Sequence, residues 1–434
     1  MRRRISILIK LLFVFLIVLA FGCTKKKADT ITHDFSIDGL KVNKMVIVSR
    51  HNIRSPLSGA GSLLAEVTPH QWFNWTSQPS ELSLKGGMLE EKMGVYYRNY
   101  LQGVGLYNDV DTFIGKIRIY TNAKERTIET GRHFASTFLL GHEFEIETHA
   151  EYDTMDPVFN PQLTFVSESY KKEALDEIKN LFNNEIINLQ YNYDLLTKLI
   201  DFEESNAYKN GTITGFDPKD IEISLELNKE PSMTGSLKNA CSISDALVLQ
   251  YYENRDDYQA AFNKNIDLEY WKNISYIKDL YGDILFTAPL ISHNVANPLL
   301  KEIKKELNND NYFSFLCGHD SNIGSVLSSL NVKPYELNNA IEAKTPIGCK
   351  ITIVSYTDND NNEYYGIYLV YQSIDELRNV TDLTYNNPPM IVKLEFKDIN
   401  CNDNGLYKKE DFLDLLDDNI NEYDNIISKY SDNN

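Results

Sequence analysis

The segment Lys44-Met45-Val46-Ile47-Val48-Ser49-Arg50-His51-Asn52-Ile53-Arg54-Ser55-Pro56 decides how the rest of the chain is read. Met45 to Val48 is an unbroken, β-branched-rich apolar run, the pattern of a strand that meets water on neither face and typical of parallel sheets. It stops at Ser49-Arg50-His51, so a buried strand delivers two charged or titratable side chains at its carboxyl end. In open α/β sheets ligands collect at that edge, which makes the residues after each strand the first place to look for chemistry.

Working outward, residues 83–102 have a helical pattern, with Ser83 as N-cap and Gly103 as stop. Ile117 to Thr121 reads as a second strand and leads into a helix from about Glu125 to Leu140. Strand followed by helix, repeated, predicts an α/β fold with a central, mostly parallel sheet flanked by helices. From about 160 to 310 the texture changes: 168–205, 236–255 and 257–281 are helical in period and nearly free of strand candidates. An inserted, mainly helical second domain is expected over 156–285, dividing the α/β body into 44–155 and 286–434. Strand signals return at 313–317, 349–356, 364–371 and 390–396, and the tail from 410 reads as one acidic helix. Asp358 to Asn362 fits a hairpin loop better than a calcium loop. The Asn400-x-Asn402-x-Asn404-Gly405 stretch lacks the first Asp and the last Glu of an EF-hand, so no calcium is assigned there.

The 434 residues are 42% hydrophobic and 24% charged, a globular composition, and the formal net charge of −19 argues against a nucleic-acid partner. Arg2-Arg3-Arg4 followed by the uncharged run Leu11 to Gly22 predicts an export leader over 1–22. That run would span about 18 Å as a helix against roughly 30 Å of hydrocarbon, so it is too short for a permanent membrane span. Leu19-Ala20-Phe21-Gly22-Cys23 resembles a bacterial lipobox, which would place a lipid on Cys23 and make residues 23–43 a tether; cleavage by a general signal peptidase is the alternative. The expected location is the periplasm or the outer membrane, with the lipid anchor as the sole membrane contact. Cys241, Cys317, Cys349 and Cys401 remain, and four cysteines permit three pairings among which sequence does not choose. No Cys/His cluster with metal-ligand spacing is present, so no metal site is predicted.

Three strand ends carry the candidate chemistry: Arg50-His51-Asn52-Ile53-Arg54, Asn122-Ala123-Lys124-Glu125-Arg126-Thr127 and Gly318-His319-Asp320. The chain uses arginine sparingly, 11 against 32 lysines, and eight against 31 after the leader. Three of those eight arginines fall at the strand ends, where a planar fork of donors suits a phosphate better than an ammonium does. His51 lies between Arg50 and Arg54, whose charge favours the neutral imidazole able to attack phosphorus. Asp320, beside His319, is the candidate proton donor to a leaving alkoxide.

These segments resemble the signatures of the histidine acid phosphatases, the branch of the histidine phosphatase superfamily that includes periplasmic phytases and glucose-1-phosphatases. Arg50-His51-Asn52-Ile53-Arg54-Ser55-Pro56 is similar to that family's Arg-His-Gly-x-Arg-x-Pro motif, and Gly318-His319-Asp320 to its distal His-Asp motif. Glu125-Arg126-Thr127 with Thr130-Gly131 resembles its central arginine segment, and Asp156 to Pro161 is also similar; the likeness runs from about 44 to 412. It implies a two-step, metal-independent and cofactor-free phosphomonoesterase acting on a small phosphate ester. His51 would form a phosphohistidine, with Arg50, Arg54, Arg126 and His319 holding the phosphate oxygens and Asp320 as general acid. By alignment with the family, Asn122, Asp245 and His293 fall near substrate-pocket positions. Two departures stand out: Asn52 replaces the family glycine, as the residue next most tolerant of positive φ, and Leu57-Ser58 stands where phytases often carry polar and basic residues. The expectation is an exported acid phosphatase for sugar or inositol phosphates, the alternatives being a non-catalytic phosphate-ester-binding lipoprotein and, more remotely, a phosphomutase-like transferase.

Overall fold

A computed structural model describes residues 35–57, 62–108 and 110–431. The leader, Cys23 and most of the proposed tether lie outside the described residues, as does Ser58. In chain order the principal elements are β1 (Lys41–Arg50), α1 (Leu84–Gly103), β2 (Ile117–Thr121), α2 (Glu125–Phe138), α3 (Glu168–Ile187), α4 (Gln190–Leu199), β3 (Ile221–Ser224) and β4 (Ser232–Gly235). There follow α5 (Ser236–Glu253), α6 (Leu268–Phe286), α7 (Pro289–Asn308), β5 (Phe313–Gly318), α8 (Asp320–Ser329), β6 (Lys350–Thr357), β7 (Glu363–Tyr371), β8 (Met390–Lys393), β9 (Tyr407–Lys408) and α9 (Lys409–Tyr430).

The apolar run at 45–48 is fully enclosed, and its alternation explains why both faces are covered. Met45 and Ile47 enter a core shared with Phe313 and Phe315 of β5, Tyr97 of α1 and Phe134 of α2. Val46 and Val48 enter the opposite core with Leu299 of α7, Val326 of α8 and Leu416 of α9. A third core joins α3 to α6 and reaches the site side through Ile53 and Leu89. β1 starts at Lys41 and Phe35 is buried, so residues 35–43, read from sequence as tether, belong to the folded body.

The α/β layering is as expected, with one correction to the sheet: its order is β2-β5-β1-β6-β7-β8, with β9 on β7, and it is mixed rather than mostly parallel. Only β2, β5 and β1 run parallel. From β6 onward every pairing is antiparallel, and between β6 and β7 the short Asp358–Asn362 loop cannot make a crossover and must return as a hairpin. The helical block also contains the two-stranded hairpin of β3 and β4, whose four-residue strands give too little alternation to read from sequence.

Register puts the chemistry together. Arg50 of β1 lies opposite Gly318 of β5, and Thr121 of β2 lies opposite Cys317, so all three parallel strands end at one level. Ser83 caps α1, its hydroxyl accepting the Gly86 amide proton at 3.0 Å. Gly131 lets α2 approach β2 closely, since a Cβ there would lie 2.7 Å from the Thr121 methyl. The four described cysteines are free thiols, and Cys241, Cys317 and Cys349 are buried.

Candidate active site

His51 follows β1 directly and is 5% exposed. Its Nδ1 lies 2.8 Å from the Asn52 carbonyl oxygen. A carbonyl only accepts, so Nδ1 carries the proton and Nε2 keeps its lone pair. Burial, then the charges of Arg126, His319, Arg54 and Arg50, push the imidazole well below its ordinary pKa, keeping it neutral.

His319 heads α8, its ring centre 5.5 Å from that of His51 at an interplanar angle of 73°. Its tautomer follows from Asn122. Asn122 Oδ1 accepts the amide protons of Ala123 and Asp156, each at 2.8 Å, which fixes the amide and turns Nδ2 toward His319 Nε2 at 2.6 Å. Nε2 therefore accepts and Nδ1 bears the proton. Arg126 Nη2 stands 3.4 Å from that Nδ1, so two donors face one another and an anionic oxygen between them would satisfy both.

The arginines repeat this pattern. Arg50 pairs with Asp320 at 3.2 Å and donates to the Thr345 carbonyl; Arg54 pairs with Asp245 at 3.0 Å. Yet the buried Nε of Arg50, of Arg54 and of Arg126 each has no partner in the protein. The three arginines whose charges act on the neutral His51 imidazole thus each keep an unsatisfied guanidinium N–H, a cradle whose hydrogen-bond inventory has room for an anion. Burial and neighbouring Arg54 lower Arg126 to about 10, still cationic at any pH where the protein would work.

The loop carrying His51 is held from below. Asn52 donates to Glu90 Oε1 at 2.7 Å, its own Oδ1 accepts the Ile53 amide proton at 2.8 Å, and its backbone N–H donates to Thr130 Oγ1 at 3.2 Å. Glu90 in turn pairs with Lys350 at 3.0 Å, both side chains fully buried. This corrects the expectation for Asn52: it is not among the residues with positive φ, and its amide is present as a bracket between β1 and α1 rather than as a conformational substitute for glycine. Gly348, at φ +70°, makes the room, because a Cβ there would fall 2.5 Å from Asn52 Nδ2.

The profile of the histidine phosphatase superfamily (branch 2) matches residues 41–372. The chain belongs to that family. This histidine phosphatase is 35% identical to a glucose-1-phosphatase of Providencia rettgeri over 86% of its own length and 91% of the relative. It is 26% identical to phytase AppA of Escherichia coli strain K12 over 82% of its length and 86% of the relative's. Its fold matches the phytase from Citrobacter braakii with a TM-score of 0.78 at 21% identity, covering 89% of this chain and 98% of that one. It is a phosphomonoester hydrolase of the histidine acid phosphatase type.

The sites named from sequence fare differently in the phosphatase. Arg50, His51, Arg54, Asn122, Arg126, His319 and Asp320 come together, and Asp245 of α5 joins them through Arg54. His293 does not: it is half-buried in the seam between α7 and α9, beside Glu422 and Asn419, with Nδ1 unpartnered. The rough alignment placed it by linear position, whereas the helix turns that residue toward α9. Sequence reasoning missed Glu90 and Lys350, which sit in ordinary helix and strand patterns with no local signal. It also missed Lys278 of α6, which with Asp320, Arg54 and Asp245 lines a cavity of about 580 Å³ adjoining the cradle.

Proposed function

We propose that this protein hydrolyses phosphomonoesters of sugars or inositols through a phosphohistidine on His51. The observation that carries the reading is the set of three orphaned arginine Nε–H groups around an imidazole whose free lone pair is Nε2. In the first step Nε2 attacks phosphorus as the ester P–O bond breaks, and Asp320 gives its proton to the departing alkoxide. In the second, Asp320 takes a proton from water, the water oxygen bonds to phosphorus, the P–N bond breaks and inorganic phosphate leaves. Arg50, Arg54, Arg126 and the His319 Nδ1–H hold the equatorial oxygens throughout, which is most of what phosphoryl transfer requires of a protein.

Asp320 is ionised in the free protein: burial would raise its pKa, but Arg50, Lys278, His51 and His319 hold it well below the usual carboxylate range. A bound phosphate dianion offsets the cationic Arg50 and Lys278 and raises the carboxyl, so the proton that Asp320 donates enters with the ester as its monoanion. Phosphate monoesters lose that proton near pH 6. kcat/KM should therefore decline above about pH 6.

The relatives named a glucose-1-phosphatase and a phytase support the choice of sugar or inositol esters. Export through the 1–22 leader, a lipid on Cys23 and an inserted helical domain over 156–285 are part of the proposal. Hydrolysis of an aryl phosphate at about pH 5 with excess chelator tests it, together with acid-labile, base-stable labelling of the denatured protein by phosphate during turnover. Turnover without a label on His51, or no turnover at all, would overturn it.

A further inference from the structure

Glu342, in the loop between α8 and β6, is a buried carboxylate that the reaction does not use. It is 2% exposed, and no lysine or arginine among the described residues forms an ion pair with it. Neutral donors meet its oxygens instead: Oε1 accepts the Ile347 amide proton at 3.1 Å, and Oε2 accepts the hydroxyl proton of Tyr252, a fully buried side chain of α5. Both oxygens accept, which is the hydrogen-bond pattern of an ionised carboxylate. A buried charge is costly unless cations nearby offset it. The cations that feel this one are Arg50 of the cradle and Lys278 of α6.

Residues 342–348 form a strap between the helical block and the cradle. On one side the Ala343 amide donates to Asp279 of α6 at 2.8 Å, and the Tyr335 hydroxyl donates to the Lys344 carbonyl at 2.9 Å. On the other the Thr345 carbonyl accepts from the Arg50 guanidinium, and the Gly348 amide donates to the His51 carbonyl at 3.2 Å. Glu342 closes the strap on itself through Ile347 and ties it to α5 through Tyr252, while Ile341 and Ile347 pack into the core that holds Tyr252. Arg50 therefore depends on Glu342 twice, through the carbonyl that holds one of its nitrogens and through a negative charge that offsets its own. Glu342 does this from outside the cavity wall, which this loop forms with Ala343, Lys344 and Thr345. No ligand in the cavity displaces it.

Resting on the phosphatase reading above, we propose that Glu342 is a positioning residue that also sets the cradle's grip on phosphate: its hydrogen bonds fix the strap that holds Arg50, and its charge keeps the product anion from binding too tightly to leave. Calorimetric titration of the full-length protein with inorganic phosphate reads that grip without requiring turnover. Glu342→Gln keeps both hydrogen bonds, since its carbonyl oxygen accepts from Ile347 and the Tyr252 hydroxyl can accept from its amide. With the charge gone, the phosphate dissociation constant should fall by about fivefold or more, the worth of one charge at the effective dielectric of a protein. Tyr252→Phe keeps the charge but unties the strap from α5, and should raise the constant by about three- to tenfold. A purely structural role would weaken binding in both variants, so the opposite signs carry the test. A constant in Glu342→Gln equal to or above that of the wild type would overturn the proposal, as would an unchanged constant in Tyr252→Phe, which decides the matter alone if the glutamine variant does not fold. A wild type that binds phosphate but does not turn over an aryl phosphate would count against the phosphatase reading instead.

Discussion

Replacing His51 by Ala removes the lone pair from which the proposed reaction starts, so hydrolysis of every phosphate ester should fall to background in a steady-state assay, whatever the leaving group. Arg126→Ala takes one donor from the developing charge and should lower kcat by about 10²–10³, the effect of losing one oxyanion contact of about 3–4 kcal/mol. Asp320→Asn leaves a side chain that cannot donate an acidic proton; it should slow alkyl phosphates far more than aryl phosphates with good leaving groups, and equal damage to both would contradict the proton-donor role. At this scale the sequence was most informative, because sparse arginines flanking a histidine at strand ends are a local pattern. Asn52 shows where that legibility stopped: its role depends on Glu90, 38 residues away, and on a glycine near residue 350.

The elements matter through where they end. β1, β2 and β5 stop in register, and a slip of one residue in any of them would turn its chemical residues to the other face. The loop before β6 closes the same edge, with the Arg50 amide donating to the Cys349 carbonyl at 2.9 Å and the Gly348 amide to the His51 carbonyl at 3.2 Å. Gly348→Ala would combine a left-handed backbone with a clash against Asn52; the expected loss is about 1–3 kcal/mol in urea unfolding, accompanied by a reduced kcat from the displaced His51 loop. Lys350→Met would strand Glu90 as a buried charge and should cost about 3–5 kcal/mol by the same measurement. The long strands and helices were readable from apolar runs and caps. The break between α3 and α4, and the hairpin of β3 and β4, were not, because tertiary packing rather than local propensity sets them.

For the whole molecule, acid has two opposed consequences. It supplies the ester monoanion that the reaction takes up, yet it works against the fold, because His51 and His319 have lowered folded-state pKa values. Below the unfolded value near 6.5 each buried neutral imidazole withholds a proton that the unfolded chain binds, so stability falls as pH drops. Between pH 6.5 and 5 the wild type should lose more stability than His51→Gln, read from denaturant midpoints. Inorganic phosphate should recover part of that loss by binding only the folded cradle. The α/β class and the positions of the longer strands along the chain were legible in the sequence; the order of strands in the sheet and the switch from parallel to antiparallel pairing were not, because they depend on which neighbours distant segments find.

With its described cysteines all reduced, the fold asks nothing of an oxidising compartment. A chain lacking residues 1–22 should therefore mature in the bacterial cytosol without isomerases, and dithiothreitol should leave both its melting temperature and its turnover unchanged.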